Sequence, residues 1–227
     1  MIITISQTAS NVKQSYEVES EHGRYHGEAG SVSRLQSVTL SDKDTTLKGV
    51  YSLSSWVHYI PLRYLFGKEN RTRVFHLYKN DRPYGRFAYS KHGLFKSCYE
   101  ITTESGDVVR CYGLSRGAYH YVSVYSGDTQ IALMETCLST EDVRYIHTLY
   151  LSEEAASFAE ILSLFAVYYA SYTFAKRLHM SSGSESVRAW SFSRYADKYD
   201  PQWRAKHCPD KRRLGETRLF RDTEEEA

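Results

Sequence analysis

A chain of 227 residues, 41% hydrophobic and 25% charged, has the composition of a globular protein able to bury a core within one large domain. Its net charge of +2 is too near balance to point to nucleic acid or a membrane surface, and no nucleic-acid partner is expected. With 4 Pro it is not a Pro-rich linker protein. Its 20 Tyr, against 9 Phe and 3 Trp, suit strands, where the ring packs on the pleat and the hydroxyl reaches water or a partner.

The N-terminal MIITISQTAS lacks a basic region followed by an apolar one, and none of Cys98, Cys111, Cys137 and Cys208 sits in a CxxC. These features imply a reducing, cytoplasmic compartment with free thiols. Cys98 and Cys111 lie in strand-like runs, where a small buried hydrophobe is expected. The segments SYEV (15–18), RLQSVTL (34–40) and LKGVYSL (47–53) read as strands. The aromatic stretch 54–69, broken by Pro61, reads as a packed loop or a short helix.

From 74 to 151 the chain reads as successive antiparallel hairpins. The runs are 74–79, 85–90, 95–103, 108–115, 119–126, 130–138 and 143–151, separated by residues such as Asn80-Asp81 and Gly127-Asp128 that tolerate tight turns. In 119–126 the alternation puts Tyr119, Tyr121, Ser123 and Tyr125 on one face and His120, Val122 and Val124 on the other.

Residues 152–178 change character. Ser152 is placed to N-cap a helix whose first turn carries Glu153 and Glu154, and Lys176 and Arg177 suit its last turn. Between them, 155–175 is apolar all round with Glu160 as its only charge, so the helix must be enclosed by protein or by lipid. The length suits a single transmembrane span, which would make this a membrane-anchored protein. Glu160, four hydroxyl residues and three tyrosines within the span favour a core helix surrounded by strands.

The runs FKSCYEITTESGDVVRCYGL (95–114) and YHYVSVYSGDTQIALMETCL (119–138), followed by 143–175, repeat a rhythm of strand, acidic-Gly turn and strand before an apolar helix. Over residues 12–178 this resembles the tubby-like superfamily, in its branch of LURP-one-related and phospholipid-scramblase-like proteins. The resemblance implies a mainly β fold, a closed antiparallel barrel around a central apolar C-terminal helix. It gives a domain 1–178 with core helix 152–178, and a polar tail 179–227, partly disordered or docked on the barrel. It further implies a non-catalytic binding or scaffold protein, cytoplasmic or peripheral to the membrane, whose partner is an anionic phospholipid head group or another protein. The Cys-rich acylation cluster of eukaryotic scramblases and an acidic calcium loop are absent, so neither scramblase activity nor lipid-binding residues carry over.

Charge is unevenly placed. Residues 60–120 hold 11 Lys/Arg against 5 Asp/Glu, whereas 121–160 hold 1 against 7. Arg82, Arg86, Lys91, Lys96, Arg110 and Arg116 are therefore candidates for binding an anion, provided they converge on one face. Glu160, one to two turns into an enclosed helix, needs a donor; it is either a ligand-binding group at a barrel mouth or a structural contact. Gly113-Leu114-Ser115-Arg116-Gly117 fits the G-x-S-x-G of serine esterases. A nucleophile elbow requires a helix after the serine, and AYHYVSVY alternates as a strand instead. The nine histidines form no set of metal-ligand pairs, and no cofactor motif occurs. In the tail, Trp190, Phe192, Tyr195, Tyr199 and Trp203 form an aromatic segment suited to docking on a partner or covering a strand edge of the barrel.

Overall fold

The computed structural model describes residues 1–10, 14–21, 23–30, 37–51, 74–92, 96–116, 119–138, 145–174 and 195–209. Alternating apolar and polar residues make strands with one buried face, and twelve of them occur in succession. They are β1 (Ile2–Ser10), β2 (Gln14–Ser20), β3 (Gly23–Ala29), β4 (Ser37–Ser41), β5 (Thr46–Tyr51) and β6 (Val74–Lys79). Then follow β7 (Arg82–His92), β8 (Lys96–Thr103), β9 (Val108–Arg116), β10 (Tyr119–Ser126), β11 (Thr129–Leu138) and β12 (Tyr145–Leu151). Each strand pairs antiparallel with its neighbours in sequence, and β1 closes on β12 with Ile5 opposite His147. Closure leaves no open sheet edge to be covered.

The pattern of burial follows the pleat. In β2, Gln14, Tyr16 and Val18 are buried while Glu17 and Glu19 are exposed; in β4, Val38 and Leu40 are buried between half-exposed Ser37, Thr39 and Ser41. In a barrel whose strands simply alternate direction, the turns after β2, β4, β6, β8 and β10 share one end. The β6–β7 turn holds Asn80 and Asp81 at φ 49° and 61°, the two-residue loop whose twist matches its strands. The stretch 54–69 lies outside the described residues.

At the end with the short turns the chain leaves β12, winds through a 3-10 turn (Glu153–Phe158) and continues as α1 (Ala159–Phe174). The expected single helix is therefore split. The N–H of Ala155 bonds the carbonyl of Ser152 three residues back, and this tighter winding carries the chain from the wall into the mouth. Ser152 does stand at the N-cap position, but its hydroxyl makes no capping bond. Residues 175–178 lie outside the described residues.

The strands surround α1. Phe165 and Tyr168 touch Phe87 on β7, Tyr168 also touches Phe75 on β6, and Phe165, Tyr168 and Tyr169 meet Tyr99 on β8. On the other side α1 contacts β1 to β5 and β12. At two wall positions glycine lets it approach closely. A Cβ on Gly27 would stand 3.2 Å from Val167, and one on Gly113 would stand 2.9 Å from the Tyr169 hydroxyl. Ile161, Leu162, Leu164, Phe165, Ala166, Val167 and Tyr168 are all buried, so the all-round apolar surface is taken up by the barrel wall. Among the described residues no helix is long and apolar enough to cross a membrane, which leaves the transmembrane alternative for 155–175 without a span.

Candidate functional site

The outer face of the barrel is not uniformly solvated. Leu133 on β11 and Tyr150 on β12 point outward yet are buried, because residues 195–209 lie over them with Trp203 completing a second apolar cluster. Trp203 opens α2 (Trp203–His207), and its indole N–H donates to the Gln130 carbonyl at 3.0 Å. Arg204 pairs with Glu135 at 3.2 Å and lies over the Tyr150 ring. Tyr199 packs on Tyr121, Tyr195 packs on Tyr112, and the Tyr125 hydroxyl donates to the Lys198 carbonyl. The outward face of β10 read from the sequence, Tyr121, Ser123 and Tyr125, is thus the floor on which this segment lies. The described part of the aromatic segment, with Tyr195, Tyr199 and Trp203, covers a face of the wall, not an edge, and Trp190 and Phe192 lie outside the described residues.

Beside this contact a cleft of about 700 Å³ opens between the segment, the β10–β11 turn and the start of the 3-10 turn. Four carboxylates line it: Asp128 from the β turn, Glu153 and Glu154 from the 3-10 turn, and Asp200 from the docked segment. Asp200 accepts the Gln202 N–H at 2.8 Å and pairs with Lys206 at 3.3 Å, and these contacts hold its carboxyl below the usual range. Tyr125 and Trp203 supply aromatic wall. Two lining residues, Gln130 and Ser152, are each only 9% exposed. The Gln130 amide N–H donates to the Ala132 carbonyl, which orients its oxygen, and neither Gln130 Oε1 nor Ser152 Oγ has a hydrogen-bond partner. Both atoms are enclosed by the protein, as are the unpartnered Gln7 Nε2 and Ser123 Oγ, which lie away from the cleft.

Glu160 stands at the barrel mouth, where β6 ends with Lys79 turned inward after Phe75 and Leu77. Lys79 Nζ lies 2.6 Å from its carboxylate, and the Tyr84 hydroxyl donates to the same oxygen at 3.2 Å. Burial, the Glu160 charge and this bond push the Tyr84 hydroxyl up to about 12. The donor that Glu160 needed is therefore a lysine from the wall.

Of the candidate basic residues, the side chains of Arg82, Arg86 and Arg110 are described. Arg110 on β9 is bound to Glu100 on β8 at 3.0 Å, Arg86 is exposed on the outer face of β7, and Arg82 is exposed at the β6–β7 turn. None of the three lines the cleft. Lys91, Lys96 and Arg116 stand at strand ends whose side chains are outside the described residues. Gly113 to Ser115 run in β9, which turns directly into β10, so the strand-turn-helix of a nucleophile elbow is absent there.

Inside the far end of the barrel the wall carries a polar layer that the sequence did not single out. His147 is buried, with its Nδ1 2.8 Å from the Thr136 hydroxyl; burial, then the neighbouring His120, lower its pKa to about 3. Cys98 and Cys111 are free thiols, both buried, and burial raises both, Cys98 to about 11. Cys208 is a free, partly exposed thiol, and the Cys137 side chain is outside the described residues. Among the described residues no group of three or more His, Cys, Asp or Glu is placed to hold a metal ion. Compared with family models, with curated proteins and with solved structures, the chain matches none.

Proposed function

We propose that this chain is a non-catalytic binding protein built on a tubby-like barrel, and that its ligand site is the cleft between the barrel and residues 195–209. The observation that carries this reading is the cleft of about 700 Å³ itself, lined by Asp128, Glu153, Glu154, Asp200, Tyr125 and Trp203 beside the docked segment. A volume of several hundred cubic ångströms is that of small-molecule sites. The reading is tested by titrating the protein with cationic, neutral and anionic fragments while following Trp203 and Gln130 by NMR. Saturable shifts at both residues with any one fragment support it. Shifts confined to other surfaces, or none, refute it.

A second reading places an anionic phospholipid head group on the outer face of β5 to β7. It is favoured by the exposure of Lys48, Arg82 and Arg86 there, with Lys43 in the β4–β5 turn. Binding of this kind weakens with salt, because exposed charges are screened over about 8 Å at physiological ionic strength. Co-sedimentation with anionic vesicles tests it: a variant with Arg82, Arg86 and Lys91 changed to Glu loses vesicle binding if the reading holds.

A further inference from the structure

The outer wall also carries an aromatic corner, distinct from the cleft, that already holds a cation. From its geometry we infer that the corner between Tyr112 and Tyr125 is a receptor for a quaternary ammonium group on an alkyl stem, with the Lys198 ammonium as its resident.

The register of β9 and β10 builds the corner. Tyr112 pairs across with Ser123, so Tyr125, two residues along, stands diagonally from it on the same outward face. The ring centroids are 5.7 Å apart and the planes cross at 82°, which makes two walls at nearly a right angle. Tyr195 of the docked segment packs on Tyr112 with centroids 5.3 Å apart and braces that wall. Lys198 Nζ sits 4.8 Å from the Tyr125 centroid and 5.7 Å from the Tyr112 centroid. Both distances fall within the roughly 6 Å over which a ring face attracts a cation. The backbone of Lys198 is fixed separately, for its carbonyl accepts the Tyr125 hydroxyl and its N–H donates to the Tyr195 carbonyl. A ligand therefore needs to move only the lysine side chain aside. Of these residues only Tyr125 also lines the cleft.

What the corner lacks decides the class of ligand. The other lysine and arginine of the described segment meet carboxylates, Arg204 with Glu135 at 3.2 Å and Lys206 with Asp200 at 3.3 Å. At the barrel mouth Lys79 meets Glu160 at 2.6 Å. Among the described residues Lys198 has no ion pair and its ammonium donates no hydrogen bond, although Asp197 is its neighbour in the chain. Burial, then the charges of Asp197 and Asp200, raise the Tyr125 hydroxyl, so this end of the segment adds negative potential without bonding the cation. The corner thus offsets positive charge through ring faces and leaves the three N–H donors of a lysine unmatched by the protein. A trimethylammonium has no N–H to satisfy, and it spreads the same charge over methyl groups that pack on the rings. The resident enters on a flexible four-carbon stem, which is also the stem of Nε-trimethyl-lysine. Choline presents the same head group on a shorter stem, so the test separates the two sources.

The test is an NMR titration of the full chain with tetramethylammonium chloride at constant ionic strength, following the amides of Tyr112 and Tyr125. Saturable shifts at both are expected in the wild type. Affinity rises by about threefold or more in Lys198→Ala, where no resident competes. In that background Tyr125→Leu and Tyr112→Leu each lower it by about fivefold or more, and ammonium ion, with the charge and no methyl groups, binds weaker by a similar factor. The Trp203 indole resonance reports whether the segment stays docked in each variant, and the wild type alone carries the test if Lys198→Ala releases it. Tighter binding of choline than of Nε-trimethyl-lysine assigns the site to a free small molecule, and the reverse order assigns it to a methylated lysine; either order upholds the site. Equal binding of ammonium ion overturns it, as do shifts confined to Gln130 and Glu153 in the cleft, or no saturable shift at Tyr112 and Tyr125.

Discussion

The barrel wall makes two large contacts, one on each face, and they are built differently. Inside, α1 is received almost entirely by apolar and aromatic side chains, and its hydroxyls turn back on the helix, Ser163 to Ala159 and Ser171 to Val167. Outside, residues 195–209 are held by one buried indole, stacked tyrosines, a carboxylate–guanidinium pair and hydrogen bonds to strand carbonyls. Among the described residues the inner contact is made by tightly buried side chains of α1 and the wall. The outer one meets the wall along only part of its length and leaves a cleft beside it. The inner contact holds the fold together, and the outer one leaves part of the wall uncovered beside the docked segment.

The largest expected effect breaks the inner contact. Leu162→Asp or Phe165→Asp places an unpaired charge among side chains that are 1% and 2% exposed, which costs several kcal/mol and leaves no folded barrel. Circular dichroism that retains a cooperative thermal transition in both variants would contradict an enclosed helix.

Acid is the next lever on the interior. His147 falls from an ordinary 6.5 to about 3 in the folded chain. Between those values the unfolded chain binds a proton that the folded chain refuses. The contribution of this site is therefore complete above about pH 6.5 and declines as pH falls toward 3, by at most about 5 kcal/mol at 1.36 kcal/mol per unit. Urea denaturation at pH 7 and pH 4.5 measures the decline, and His147→Gln flattens it. A decline of equal size in that variant would assign the acid sensitivity to other groups.

Removing the indole acts on the outer contact alone. Trp203→Ala should cost about 3 kcal/mol, felt as release of 195–209 while the barrel persists. Hydrogen exchange should show faster exchange at 195–209 and unchanged protection in β6 to β8. Loss of protection throughout would mean that the segment is part of the fold's foundation.

The same contrast explains what the sequence revealed. β6 and β10 were legible to the residue because Val74–Lys79 and Tyr119–Ser126 alternate cleanly between turns that demand positive φ or tight loops. β3 was not, since its inward positions are Tyr25, Gly27 and Ala29, small at the end where α1 presses closest, and small residues carry no apolar signal. β1 was overlooked although Ile3 and Ile5 alternate with Thr4 and Ser6, because Gln7 and the serines beyond it dilute the pattern. Glu160 could be singled out in advance because one charge in an apolar helix needs a partner, but which wall residue would supply it depends on register. The cleft was hidden for another reason. Its carboxylates come from positions 128, 153, 154 and 200, which only the docking of the tail brings together. The surviving trace in the sequence was the acidic excess of 121–160, 7 against 1, whereas the basic excess of 60–120 drew attention to residues of which Arg82, Arg86 and Arg110 lie away from the cleft.

The smallest expected effect is the most diagnostic of the outer seam. A serine at an N-cap ordinarily contributes, and its loss to alanine costs about 0.5–2 kcal/mol because a backbone N–H loses its acceptor. Ser152 occupies that position with extended backbone, φ −67° and ψ 169°, yet its Oγ bonds no N–H and has no other partner. Ser152→Ala removes a buried hydroxyl that the protein itself does not satisfy, so its stability cost should be close to zero, within about 0.5 kcal/mol. Urea midpoints of the two proteins, compared without ligand, check this. A full capping cost would instead show that the hydroxyl serves the helix.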